Sequence, residues 1–393
     1  MSVHPNNDRP TSGSASARRG GRAAAAGAVT VLTLLAATAC GPDDNPKPPP
    51  SSAPAPSSAV PSATKAGLPA GLPSLDQLKK WKAGDWDNWA KQHVITPAAK
   101  GFWDLQKMLQ AKPEAPAGPA QPPSDPGAGS NDPLPAAISA SSVPHPYTKD
   151  AVDGKIFFDK SDGKHYVCSG TVVSDPAHPG KSNLVWTAGH CVDGGKDGSP
   201  AKNVTFIPEF NSTGAVSKGK TSTPDKFAPL GMWPGLSAIS SPQWTSEGTE
   251  SGGPASQYDF GIIKVGNPEG GAKSLEETVG GSVPVLFNAP RAQLSLTAIG
   301  YPAAPPFDGV ELEQCSGGKP SQLSFDSTRP AMYTIGCTMT GGSSGGGWFA
   351  VKDGKTYLVS NTSIGPADNP SWLAGPYLDD VASSAFDYIS KKG

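Results

Sequence analysis

Thr340-Gly341-Gly342-Ser343-Ser344-Gly345-Gly346-Gly347 sets two serines in a glycine turn, and which of them is reactive decides the fold. Centred on Ser343, the stretch reads G-x-S-x-G, a strand-to-helix elbow on an α/β sheet, where the histidine follows the serine along the chain. Centred on Ser344, it reads G-x-S-G-G, and the histidine must lie upstream. The six histidines are His4, His93, His145, His165, His178 and His190, so none follows the serines. The elbow has no base to use. The upstream order fits, so Ser344 is the candidate nucleophile.

His190 lies in Trp186-Thr187-Ala188-Gly189-His190-Cys191. Small residues precede it, and Cys191 can tie it to the strand around Cys168, which would hold an imidazole at a fixed angle. A neutral imidazole near its own pKa suits proton transfer at pH 7. Between histidine and serine lies Tyr258-Asp259-Phe260-Gly261-Ile262-Ile263. Asp193, Asp197 and Asp225 compete for the third role. Asp193 is too near His190 in sequence to reach behind the ring, and Asp197 and Asp225 sit in polar loops. Asp259 opens an apolar strand, where a carboxylate is buried and directed. Hydroxyl, base and orienting carboxylate are the three groups a serine nucleophile needs.

The chain around these motifs is rich in turns. Short β runs recur between glycine and proline clusters: 155–158, 171–173, 184–186, 204–207, 260–263, 294–298, 332–335 and 357–360. No helices alternate with them, which argues for an antiparallel barrel or sandwich, with helix only at about 379–389. The charged fraction is 17%, and 47 of the 393 residues are glycine. The formal net charge is −2, from 32 basic and 34 acidic residues, which gives no reason to expect a nucleic-acid partner. No metal-ligand spacing and no nucleotide loop is present, so no metal and no cofactor is expected.

The start of the chain carries export signals. Arg18, Arg19 and Arg22 precede a short apolar run, 29–39, that ends at Cys40. Residues 1–39 read as a signal peptide of lipoprotein type, with lipid on Cys40 as a membrane anchor and ordinary cleavage as the alternative. Residues 40–66 are rich in Pro, Ser and Ala and read as a tether that would reach about 80 Å when extended. Over 67–111, Leu75, Leu78, Trp81, Trp86 and Trp89 recur at helical spacing. Ser74 is placed to cap that stretch, and Pro97 to break it from a second one carrying Phe102, Trp103 and Met108. This region is either a helical pair docked on the main domain, a pro-segment removed after folding, or a membrane-surface helix. Residues 112–136 are again rich in Pro, Ala and Gly and read as a linker; residues 137–393 form the main domain. Export implies oxidation, so Cys168, Cys191, Cys315 and Cys337 should pair. Three pairings are open. The local one, Cys168–Cys191 with Cys315–Cys337, closes two loops of about 22 residues, each worth roughly 3 kcal/mol.

Thr187-Ala188-Gly189-His190-Cys191, Asp259-Phe260-Gly261-Ile262 and Gly342-Ser343-Ser344-Gly345-Gly346 resemble the motifs of the trypsin/chymotrypsin-like serine endopeptidases, with the bacterial glutamyl-endopeptidase-like branch closest. The resemblance covers about 150–390. It implies two six-stranded antiparallel barrels with the site between them, His190 and Asp259 on the first and Ser344 on the second. His190 would be the base, Asp259 would hold its tautomer, and Ser344 would attack the carbonyl. The N–H groups of Gly342 and Ser344 would form the oxyanion hole. Ser363-Ile364-Gly365 resembles the strand that pairs with the substrate backbone. Ser343 stands where trypsin has an aspartate, so activation through a salt bridge to a new N-terminus is not expected. Thr338 takes the place of trypsin's pocket acid. The pocket histidine of glutamyl endopeptidases has no counterpart after Ser344. An uncharged preferred residue follows. The resemblance implies a monomeric exported endopeptidase acting on proteins or peptides. The alternative is a silent protease-like domain that binds protein or wall polymer.

Overall fold

The computed structural model describes residues 72–147, 151–217 and 222–392. The signal segment, the lipidation candidate Cys40 and the tether lie outside the described residues.

Among the described residues, six strands make the first half. They are β1 (Asp153–Asp159), β2 (His165–Val173), β3 (Leu184–Thr187), β4 (Lys202–Pro208), β5 (Trp233–Ser240) and β6 (Gly261–Val265). Each pairs antiparallel with two others, in the order β2-β1-β4-β5-β6-β3 and back to β2, so the ring of backbone hydrogen bonds closes. Closure covers β2 at Thr171–Val173, while its start at Tyr166–Val167 extends past β3. Side chains alternate along each strand. Ile156, Phe158, Val185, Phe206 and Ile263 fill one core. Their neighbours Phe157, Trp186, Ile207 and Ile262 pack into a second core outside the ring.

That outer core is covered by helices. Asp379 caps the C-terminal helix Asp380–Lys391, accepting from Val381 N–H at 2.9 Å. Its Val381, Ala385, Phe386 and Ile389 are buried. The upstream segment docks alongside. Its helices are Leu75–Leu78, Ala83–Ala90 and Leu105–Gln110. Ser74 and Gln77 form a capping box at its start. The helical stretch ends at Ala90 rather than at Pro97, and Pro97 instead bridges to Val204 in an extended run. Trp86 Nε1 donates to Ser384 Oγ at 2.8 Å and its ring stacks on Tyr388. Trp103 Nε1 donates to Asn203 O at 2.7 Å.

The second half has seven strands. They are β7 (Leu296–Gly300), β8 (Glu313–Gly318), β9 (Ser321–Leu323), β10 (Met332–Gly336), β11 (Gly347–Lys352), β12 (Lys355–Asn361) and β13 (Trp372–Gly375). Its hydrogen bonds form two sheets, β12-β11-β7-β8 extended by Ser141–Ser142, and β9-β10-β13. Tyr333, Ile335, Trp348 and Leu373 fill the space between them. The Cys315–Cys337 disulfide joins β8 to the residue after β10, and so staples one sheet to the other. The Cys168–Cys191 disulfide lies in the first half.

Candidate active site

The turn carrying Ser344 is fixed from both halves. Ser343 Oγ donates to Thr340 O at 2.7 Å, and Gly345 N–H donates to Thr362 O at 2.8 Å. From β2, Ser169 N–H donates to Ser344 O at 2.7 Å, and Ser169 Oγ donates to Gly342 O at 2.9 Å. Two glycines are obligatory here. Gly342 has φ +97°, and a Cβ there would lie 2.8 Å from that of Ala303. Gly345 has φ +79°, and its Cβ would lie 2.1 Å from Thr187 Oγ1. Side chains at either position would be both strained and excluded.

His190 sits in a 3₁₀ turn, Gly189–Cys191, that follows β3 and is tied to β2 through Cys191–Cys168. Asp259 lies just before β6 and is fully buried. Its carboxylate holds the histidine twice. Oδ1 accepts from His190 N–H at 2.9 Å, and Oδ2 meets Nδ1 at 2.7 Å. Ser363 Oγ also donates to Oδ2, at 2.6 Å. An ionised carboxylate only accepts, so Nδ1 carries the proton and Nε2 keeps its lone pair. Asn361 sits across the seam between the halves. Its Nδ2 donates to Asp259 O at 3.0 Å, and its Oδ1 accepts from Trp186 Nε1 at 3.0 Å. His190 Nε2 and Ser344 Oγ are both buried with no hydrogen-bond partner among the described residues. Buried polar atoms are seldom left so.

Of the other aspartates, Asp197 lines the cavity on the His190 side, and the remaining two are occupied elsewhere. Asp193 pairs with His93 Nδ1 at 3.1 Å. Asp225 lines a cavity with Lys100 and Trp103, on a different face.

A cavity of about 440 Å³ opens beside Ser344, with Met339, Gly341, Ser363, Ile364, Gly365 and Leu373 in its wall. Its one charged lining residue is Asp368, which is exposed. Thr338 does not line it. Its Oγ1 accepts from Ala140 N–H at 2.9 Å, and its N–H donates to Ile138 O, so the chain crossing outside takes up this residue and the next one, Met339, faces the cavity. A second cavity of about 340 Å³ lies on the His190 side, walled by Trp244 and Tyr166. The Trp244 ring meets the imidazole edge-on at 5.7 Å.

Ser169 was missed in the sequence, although its place beside Cys168 is a signal that it faces the site. Residues 112–118, read there as linker, pair with both halves. Lys112 and Pro113 lie parallel to Tyr166 and Val167, and Ala117 bridges to Gly365.

Solved structures are similar to this fold. A thermostable serine protease, AL20, from an extremophilic microorganism is 29% identical over 63% of this chain and 100% of its own, with a TM-score of 0.50. The protease Anisep from Arthrobacter nicotinovorans is 34% identical over 64% of this chain and 99% of its own, with a TM-score of 0.50. This chain belongs to the chymotrypsin-like serine proteases. A Glu endopeptidase in complex with MPD is 15% identical over 66% of this chain and 100% of its own, with a TM-score of 0.45. No protein-family model and no curated protein matches this chain.

Proposed function

We propose that this serine protease is an endopeptidase working through His190, Asp259 and Ser344. The double hold of Asp259 on His190 carries the reading, because it fixes both the angle and the tautomer of the ring. His190 Nε2 takes the proton of Ser344 Oγ as that oxygen attacks the scissile carbonyl. It then returns the proton to the leaving amine, and water repeats the cycle on the acyl-enzyme. Gly342 and Ser344 supply the N–H groups that meet the oxyanion. Ser363 positions Asp259 through its hydroxyl, and Gly365 offers backbone to an extended peptide, while Ile364, paired both ways with Ala374, contributes its side chain to the wall. A wall of Met339, Ile364 and Leu373 without a buried charge suits an uncharged side chain next to the scissile bond. The basic and apolar start supports export, with lipid on Cys40 and residues 40–66 as the tether.

A fluorophosphonate tests the chemistry. The full chain, before and after limited proteolysis, is expected to take the label on Ser344, and Ser344→Ala is expected to take none. Equal absence of label in both proteins under both conditions would sink the assignment and leave a binding domain. Intact mass and N-terminal sequencing of the exported protein test the lipid on Cys40.

A further inference from the structure

The cleft between the halves is already filled by the chain itself. Pro113, Ala115 and Ala117 line the cavity beside Ser344, while Glu114 and Pro116 line the cavity beside His190. That alternation is what an extended strand gives when it runs between two walls. Gly342 N–H, the donor assigned to the oxyanion, is directed at Glu114 O at 3.3 Å. Glu114 N–H donates to Val167 O at 3.2 Å, Ala117 N–H donates to Glu250 O at 2.9 Å, and Gly118 N–H donates to Gly365 O at 2.8 Å. The Glu114 carboxylate is buried against Lys160.

We propose that residues 112–118 are an inhibitory strap, held in the substrate cleft by backbone pairing and a partly buried ion pair, and that proteolysis of peptides entering that cleft waits until the strap is displaced or cut away. The proposal rests on the catalytic assignment of Ser344. The strap is pinned at both ends. Before it, the helices carrying Trp86 and Trp103 are packed on the first half. After it, Asn131 Nδ2 donates to Ser324 O at 3.1 Å and Ser141–Ser142 pairs with β8. Tethering of this kind raises the strap's effective concentration to about millimolar, enough for weak local contacts to exclude a peptide. The strap also has features of an inhibitor that is not consumed. Its pairings with Tyr166–Val167 and with Gly365 are both parallel, and Pro113 and Pro116 flank the Glu114–Ala115 bond. The solved proteases matched here cover 63% and 64% of this chain, so more than a third of it has no counterpart in them.

The test uses the full chain. In Ala117→Pro/Gly118→Leu, proline removes the donor to Glu250. The leucine Cβ would fall 2.5 Å from the Trp372 ring, so the strap cannot seat. Gly127→Ala, at a position with open space around it, is the control. The double variant is expected to take fluorophosphonate and to hydrolyse peptides at least tenfold faster than the parent and the control. Equal rates in all three would overturn the strap while leaving the protease assignment standing. Binding supplies a readout that needs no catalysis. A fluorescein-labelled peptide of residues 110–120 is expected to bind the double variant in the Ser344→Ala background, and not Ser344→Ala with its own strap in place. Absence of binding to the double variant at millimolar peptide, the concentration that tethering supplies, would overturn the proposal even for an inert protein. Complete cleavage of Glu114–Ala115 in the purified chain, seen by intact mass, would make the stretch a substrate and also overturn it.

Discussion

The two halves of this molecule solve closure differently. In the first, six strands complete a ring of backbone hydrogen bonds, and the imidazole and its carboxylate hang from strand ends on that ring. In the second, two sheets meet face to face and the seam between β8 and β10 is crossed by Cys315–Cys337. The first half therefore derives its rigidity from backbone pairing, and its disulfide is free to serve the histidine turn. The second derives part of its rigidity from a covalent staple, while its reactive serine rides on a glycine turn held by contacts from both sides. Two loops of nearly equal length, with sequence separations of 23 and 22, are thus spent on different ends.

The comparison can be broken at three points. The largest effect should come from Asp259→Asn. If the first half contributes orientation rather than bulk stability, kcat should fall by roughly 10⁴ as the ring loses its tautomer, while the melting temperature barely moves. A parallel collapse of both would show that Asp259 holds the barrel together instead. Second come the disulfides. Replacing Cys315 and Cys337 by serine should cost about 3 kcal/mol by loop entropy, and more where the staple closes a seam. Replacing Cys168 and Cys191 should cost less stability and proportionately more kcat. Urea midpoints and kcat for the two pairs check this, and indistinguishable changes would erase the difference between the halves.

The smallest effect concerns Lys155, which reaches from β1 in the first half to Gly309 O on the connection between β7 and β8. Burial lowers its pKa to about 7. The unfolded chain keeps the proton up to about pH 10.4, so between pH 7 and that value the unfolded state binds more protons and stability rises with pH. Below pH 7 both states are charged and the burial cost is fully present. Lys155→Met should remove this slope, which is at most about 1.4 kcal/mol per pH unit. The stability difference between parent and variant, followed by urea unfolding from pH 7 to 9, should change steadily. A constant difference would mean that the ammonium stays charged.

Much of this was legible in the chain. The position of His190 before the two serines excluded the elbow, and runs such as 155–158 and 184–186 have the apolar character of barrel strands. Strand β5 was hidden because Pro234 and Gly235 sit inside it, and β11 because the glycine run of the serine turn leads straight into it. Thr338 was placed in the pocket by its distance from Ser344, but side chains alternate along an extended chain, and Met339 took that place. The strap was read as linker because its composition cannot build a core. That inference holds for isolated chain, yet prolines and alanines make an extended strand well suited to borrowing hydrogen bonds from two existing edges. Composition reports what a segment can do alone, and here its partners lie at residues 166–167 and 365.

Asn361 ties Trp186 and Asp259 of one half to the strand end of the other through a single side-chain amide. Two polypeptides made separately, one for each half, would carry complementary groups by which to recognise each other. The residue whose carboxylate orients the histidine joins that contact through its backbone carbonyl, so a mutation that weakens reassociation would also be felt in turnover.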